Sequence, residues 1–271
     1  MSTQFDHSGK VAVVTGGAQS MGLLTAQSLA RRGAKIVVGD IDHSGAAEVE
    51  LINQAAQDRV AVFQHCDVSD SSSLKSLIDF AISEFGRLDI LVNNAGVLDK
   101  PWNLDPTGSW AHRCIATNVC GAIEGTNYAL QYWNQQEDRK GTVVNLASLA
   151  AYTPLNFMAT YAATKAAIVM YTKCMASLAP KVRVNAVAPT GVDTKFIDAE
   201  HLGRDHWAIK SAGLLPPQLV VDQVLRTIED ESLAGDVVVI KGDDMIELCA
   251  LPKSTDIEAL LQASLENPAA S

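Results

Sequence analysis

The chain is short of cysteine, of positive charge and of long apolar runs, and each shortage removes a class of protein. Its five cysteines, Cys66, Cys114, Cys120, Cys174 and Cys249, are scattered and without CxxC or His/Cys spacing. That pattern gives neither a disulfide framework nor a zinc site, so reduced thiols are expected. The histidines (His7, His43, His65, His112, His201 and His206) form no ligand or triad pattern, and no metal is expected. Lys and Arg number 21 against 31 Asp and Glu, a formal charge of −10. A nucleic-acid partner needs a basic surface that releases counterions, and none is available here. No apolar run approaches the ~18 residues needed to span a bilayer, and the polar stretch from Met1 to His7 lacks the order of a secretion signal. The expectation is a soluble, cytoplasmic protein with no membrane partner.

What is present is a large stock of core-forming residues. Hydrophobic residues make up 48% of the 271 and charged ones 19%, which suits a folded α/β chain. Short β-branched runs recur at Val11–Thr15, Lys35–Ile41, Val60–Asp67, Ile90–Asn93, Thr142–Leu146, Val182–Val187 and Val237–Ile240. Each is apolar nearly throughout, as strands covered on both faces are. Helix-like segments near 22–32, 44–57, 70–86, 106–136, 158–179 and 216–231 separate them. This alternation predicts a doubly wound parallel β-sheet of about seven strands with helices on both faces. No linker or repeat interrupts it, so residues 1–271 read as a single domain with a C-terminal tail over about 253–271. The stretch 194–215 breaks the rhythm and reads as a lid or binding loop.

The first strand runs into Thr15-Gly-Gly-Ala-Gln-Ser-Met-Gly22, and a helix follows. Such a turn lets backbone N–H groups and a helix N-terminus meet a pyrophosphate, the arrangement of a Rossmann fold. Asp40 closes the second strand about 20 residues on, where an acid accepts hydrogen bonds from ribose hydroxyls and repels a 2′-phosphate. Neither Ile41 nor the glycine turn supplies a cation for that phosphate, which favours NAD(H) over NADP(H).

Two further pieces lie at predicted strand ends: Asn93-Asn-Ala-Gly96, and Ser148 followed by Tyr161-Ala-Ala-Thr-Lys165. A Tyr-x3-Lys pair alone is common, but here both side chains share one helix face. With Asp67-Val68, Asn118 and the stretch from Pro189 to Thr194, these signposts run in the order found in the short-chain dehydrogenase/reductase family. The chain resembles that family over about residues 8–242.

The resemblance implies an NAD(H)-dependent oxidoreductase that interconverts a secondary alcohol and a ketone by hydride transfer, with Asn118, Ser148, Tyr161 and Lys165 catalytic. Tyr161 would be the general acid and base, and Lys165 would lower its pKa towards working pH. Ser148 would hold the substrate oxygen and Asn118 would anchor a water relay. Gly16, Gln19, Ser20, Met21 and Gly22 would cradle the pyrophosphate, and Asp40 and Ile41 the adenosine ribose. Asp67 and Val68 would flank the adenine. Asn94, Ala95 and Gly96 would let the ribose lie close, and Lys165 would bond the nicotinamide ribose, beside Tyr161. Pro189, Val192 and Thr194 would cover the nicotinamide amide and a phosphate. A homodimer or homotetramer is expected on the same ground.

Three departures from the family pattern stand out: Ser20 in place of the middle glycine, Thr190 after Pro189, and Lys241-Gly-Asp-Asp244 at the end of the last strand. Leu98, Trp102, Leu149, Tyr152, Pro154, Leu155, Phe157, Met158, Phe196 and Trp207 are the candidates for a pocket that takes an apolar alcohol or ketone. Residue type is the only motive for that assignment. A catalytically idle NAD-binding regulator and a non-redox lyase, epimerase or cyclase on the same scaffold both stay open.

Overall fold

Seven of the strands run parallel because helical crossovers separate them, and most are buried on both faces. The computed structural model describes residues 6–197, 213–242 and 245–249. Its strands are β1 (Val11–Thr15), β2 (Lys35–Asp40), β3 (Ala61–His65), β4 (Ile90–Asn93), β5 (Gly141–Leu146), β6 (Val182–Pro189), β7 (Val237–Gly242) and β8 (Met245–Leu248). They form one sheet in the order β3-β2-β1-β4-β5-β6-β7-β8. The sheet therefore holds eight strands rather than about seven. The addition, β8, pairs antiparallel with β7 at the edge. Its Met245 and Leu248 are exposed, so it lacks the buried apolar signature of the others.

The helices are α1 (Ser20–Arg31), α2 (Gly45–Ala56), α3 (Ser71–Phe85), α4 (Ser109–Ile115), α5 (Gly121–Asn134), α6 (Ala159–Cys174) and α7 (Pro217–Glu229). Leu29 of α1, Ile52 of α2 and Val224 of α7 bury against one face of the sheet. Leu77 of α3 and Trp133 of α5 bury against the other, and α6 adds Ile168 and Val169 there. The segment 106–136, which reads as one helix, is α4 and α5 joined by a π-helical turn over Ala116–Cys120. Local chemistry sets the helix ends. Asp70 caps α3 by accepting from Ser72 N at 2.9 Å, and Gly86 ends it in the left-handed region at φ 73°. Arg183 donates to the carbonyls of Thr227, Ile228 and Asp230, where the α7 macrodipole favours a cation.

Strand order reverses between β1 and β4, which lie side by side while β2 and β4 continue in opposite directions. At such a switch point the loops after the two strands part, and the crevice at their C-terminal ends is the ligand position of open α/β sheets. The tail over about 253–271 and residues 198–212 of the lid segment lie outside the described residues. The two ends of that segment are held together. Val192 and Leu215 form a parallel bridge, flanked by Asp193 N to Leu215 O at 2.9 Å and Leu215 N to Gly191 O at 2.8 Å.

Candidate active site

The crevice opens into a cavity of about 690 Å³. One end is the β1–α1 turn. Gly16 takes φ 63°, and a Cβ there would sit 2.8 Å from Ala95 Cα; a Cβ on Gly22 would sit 2.1 Å from Gly16 O. Only glycine permits that approach of backbone to backbone. The turn is braced from the neighbouring strand: Asn94 Nδ2 donates to the carbonyls of Thr15 at 3.0 Å and Gly16 at 2.8 Å. Thr15 Oγ1 in turn accepts from the N–H groups of Asn94 and Ala95. Gln19 stands at the N-cap of α1 without a side-chain cap, and no acid lies in the first turn. That helix end is open to an anion. Ser20, at the glycine position of the family pattern, takes the left-handed φ of 52°.

Asp40 is buried at the end of β2, and its Oδ2 accepts from Ala18 N and its Oδ1 from Asp42 N, both at 2.9 Å. The carboxylate thus ties the glycine turn to its own strand, and it lines the same cavity as Gln19, Met21 and Ile41. Asp67 and Val68 line it from the loop after β3. Pro189, the last residue of β6, and Val192 and Thr194 in the loop after it also line the cavity.

Ser148, Tyr161 and Lys165 meet at the other end. Ser148 follows β5 and caps a 3₁₀ turn by accepting from Ala150 N at 3.1 Å. Its hydroxyl also lies 3.4 Å from the Pro189 carbonyl and bonds to the Tyr161 phenol. Tyr161 and Lys165 project from successive turns of α6, with the Lys165 ammonium 5.5 Å from the Tyr161 ring centroid. Burial pushes the phenol up to about 12, against the pull of Ser148 and with help from Cys114 and Asp99. Burial likewise draws the Lys165 ammonium down to about 8. The sequence expectation was a lysine that lowers the tyrosine pKa. In this structure burial is the largest influence on the phenol, and it acts upward.

Asn118 does not line the cavity. It is buried in the π-helical turn, where its side chain clasps Val97 through Val97 N to Oδ1 (2.8 Å) and Nδ2 to Val97 O (2.9 Å). Nδ2 also reaches Thr164 Oγ1 at 3.1 Å and Cys114 Sγ at 3.2 Å. This clasp fixes the loop carrying Gly96, and a Cβ on Gly96 would stand 3.4 Å from Asn118 Oδ1 and 3.6 Å from Lys165 Nζ. A side chain there would fill the space in front of the lysine. The glycine turns, the open end of α1 and this gap fit a dinucleotide stretched along the cavity.

Leu98, Leu149, Leu155, Phe157, Met158 and Phe196 line the cavity, with Phe196 6.1 Å from Tyr161 between ring centroids. Tyr152 and Pro154 do not. Tyr152 is 40% exposed and turned to Cys249 instead, because the 3₁₀ turn presents its residues to different sides. The Trp102 side chain and Trp207 lie outside the described residues. Cys66, Arg113 and Thr117 also line the cavity, and the sequence did not mark them as site residues. Among the described residues no His/Cys/Asp/Glu group could hold a metal, and no helix is long and apolar enough to cross a membrane.

The switch-point crevice, the glycine turn and the Ser–Tyr–Lys group define a dinucleotide-type α/β protein. A family model described as short chain dehydrogenase matches residues 10–204, and the chain belongs to that family of nicotinamide-linked oxidoreductases. The short chain dehydrogenase helC of Aspergillus fumigatus is 33% identical over 250 residues, covering 88% of this chain and 97% of that protein. Human 15-hydroxyprostaglandin dehydrogenase [NAD(+)] is 32% identical over 250 residues, covering 86% and 91%. Among solved structures, a Brucella melitensis 3-ketoacyl-(acyl-carrier-protein) reductase complexed with NADH matches with a TM-score of 0.76 at 28% identity, covering 88% of this chain and 99% of that one.

Proposed function

We propose that this protein is an NAD(H)-dependent oxidoreductase that interconverts a secondary alcohol and a ketone, with Tyr161 moving the proton. The observation that carries the reading is one cavity with Asp40 at one end and Ser148, Tyr161 and Lys165 at the other. Asp40 would accept the adenosine ribose hydroxyls and repel a 2′-phosphate, and the end of α1 would hold the pyrophosphate. Lys165 would bond the second ribose through the gap that Gly96 leaves. When bound, the nicotinamide supplies or accepts the hydride.

Ser148 donates to the substrate oxygen and keeps it beside the Tyr161 hydroxyl. In ketone reduction Tyr161 gives up its proton to that oxygen, and a phenol near 12 stands fully protonated for the task. In alcohol oxidation Tyr161 must first lose the proton, so oxidation should quicken as pH rises. Asn118 holds the loop beneath Lys165, and a proton relay to solvent through water at this point is part of the same proposal. The apolar wall of Leu98, Leu155, Phe157, Met158 and Phe196 favours an apolar alcohol or ketone.

The test follows nicotinamide absorbance with a panel of secondary alcohols and ketones, using NAD(H) and NADP(H) in parallel and Tyr161→Phe as control. Turnover with NAD(H) that disappears in the variant is the expected result. NADH binding without turnover of any compound would overturn it in favour of an idle or non-redox protein.

A further inference from the structure

Asp99 is 2% exposed, three residues past Gly96 in the loop after β4. Its Oδ2 accepts from Thr160 N at 2.8 Å, one residue before Tyr161. Its Oδ1 is buried with no hydrogen-bond partner among the described residues. Helix α6 begins at Ala159, and its own N-cap residue, Met158, makes no side-chain cap. The cap is therefore lent by a carboxylate from another part of the chain. An exposed hydroxyl or amide would cap as well, so capping alone does not account for a buried charge with an empty oxygen.

The surroundings supply the other half. Leu98, Cys114, Ala150, Met158 and Tyr161 form one apolar cluster, and Leu98 is the chain neighbour of Asp99. In such a medium charges act on each other with little screening. We propose that Asp99 is a positioning residue that fixes the entry of α6 and, through its buried charge, holds Tyr161 in the protonated state. The catalytic consequence rests on Tyr161 being the proton-transfer residue; the coupling between the two side chains does not.

The groups facing Tyr161 come from four elements. Lys165 on α6 favours the phenolate, and Ser148 after β5 does so by donating to it. Cys114 on α4 opposes it only when ionised, and burial pushes that thiol up to about 11. Asp99, from the loop after β4, opposes it as an anion. Around Asp99 itself stand Tyr161, Cys114 and the Thr160 N–H. Ionising Tyr161 therefore sets a second anion near Asp99, beside an apolar cluster that screens neither.

Asp99→Asn keeps an oxygen for Thr160 N–H and removes the charge, and Asp99→Ser gives an uncharged hydroxyl cap should the first variant fold poorly. Two readouts apply: the pH profile of kcat/KM for alcohol oxidation, and NMR of isotope-labelled tyrosine with the Tyr161 signal assigned by Tyr161→Phe. Both midpoints are expected to fall by about half a unit or more in the uncharged variants, within the spread that protein surroundings impose. Unfolding temperature in Asp99→Asn is expected to stay within a few degrees of the parent. An NMR titration identical to that of the parent would overturn the proposal and leave Asp99 a helix cap. A shifted NMR titration in a protein that turns over no alcohol would uphold the coupling while removing Tyr161 from the reaction.

Discussion

The ammonium of Lys165 donates a 2.6 Å hydrogen bond to the carbonyl of Leu146, the last residue of β5. The same lysine is buried, which draws it from an ordinary 10.5 to about 8. Between those values the unfolded chain binds a proton that the folded chain lacks. Stability from this group is therefore present above pH 10.5 and is lost as pH falls through about 8. The loss is about 3 kcal/mol. Lys165→Met should be free of it, so the stability gap between variant and parent should change across that window. Denaturant unfolding near both ends measures it, and a constant gap would contradict the assignment.

Asn94→Ala should loosen the β1–α1 turn, because it leaves the Thr15 and Gly16 carbonyls without the amide they share. A loss of about 1–3 kcal/mol is expected. NADH affinity should fall with it, since the braced turn is the surface offered to pyrophosphate. Thermal unfolding with and without NADH reads both, and an unchanged affinity would separate the brace from binding.

Ser20→Gly should stabilise the protein. Ser20 holds φ 52°, a region that costs a side-chain-bearing residue about 1–2 kcal/mol. Glycine removes that cost and returns about 0.5–1 kcal/mol of it as chain entropy. A net gain of up to about 1.5 kcal/mol should appear as a higher denaturant midpoint. A lower midpoint would mean that the hydroxyl contributes more than the strain removes.

Asp40→Ala should weaken NADH binding at least about tenfold and narrow the preference over NADPH. Two losses combine: the acceptor for ribose hydroxyls, and the carboxylate that bonds Ala18 N and Asp42 N. Fluorescence titration with both cofactors checks the ratio. A ratio that stays fixed while both affinities drop would leave Asp40 with the turn alone.

The strands were legible because a parallel strand buried on both faces writes its burial into every residue, as the Val11–Thr15 run does. Strand β8 was not, since Met245 and Leu248 face outward and give no such run. The break between α4 and α5 was hidden because a π-turn changes the backbone pairing and leaves residue type untouched. Tyr152 and Phe157 carry the same apolar-aromatic signal in sequence, yet only Phe157 lines the cavity. Asp99 reads as one more acid in a loop. Its meaning comes from Thr160, 61 positions away, which no local pattern reports.

The Val192–Leu215 bridge ties the two ends of the segment between them together at a single point. Where a loop is closed at its root, doubling its length costs only about 0.6 kcal/mol of closure entropy. Tyr161 on α6 meets the start of that segment through Phe196, at 6.1 Å between ring centroids. Insertions between Ile197 and Gly213 should therefore cost the fold little, whereas changes at Phe196 would be felt at Tyr161. The fold keeps a fixed handle and an interchangeable blade.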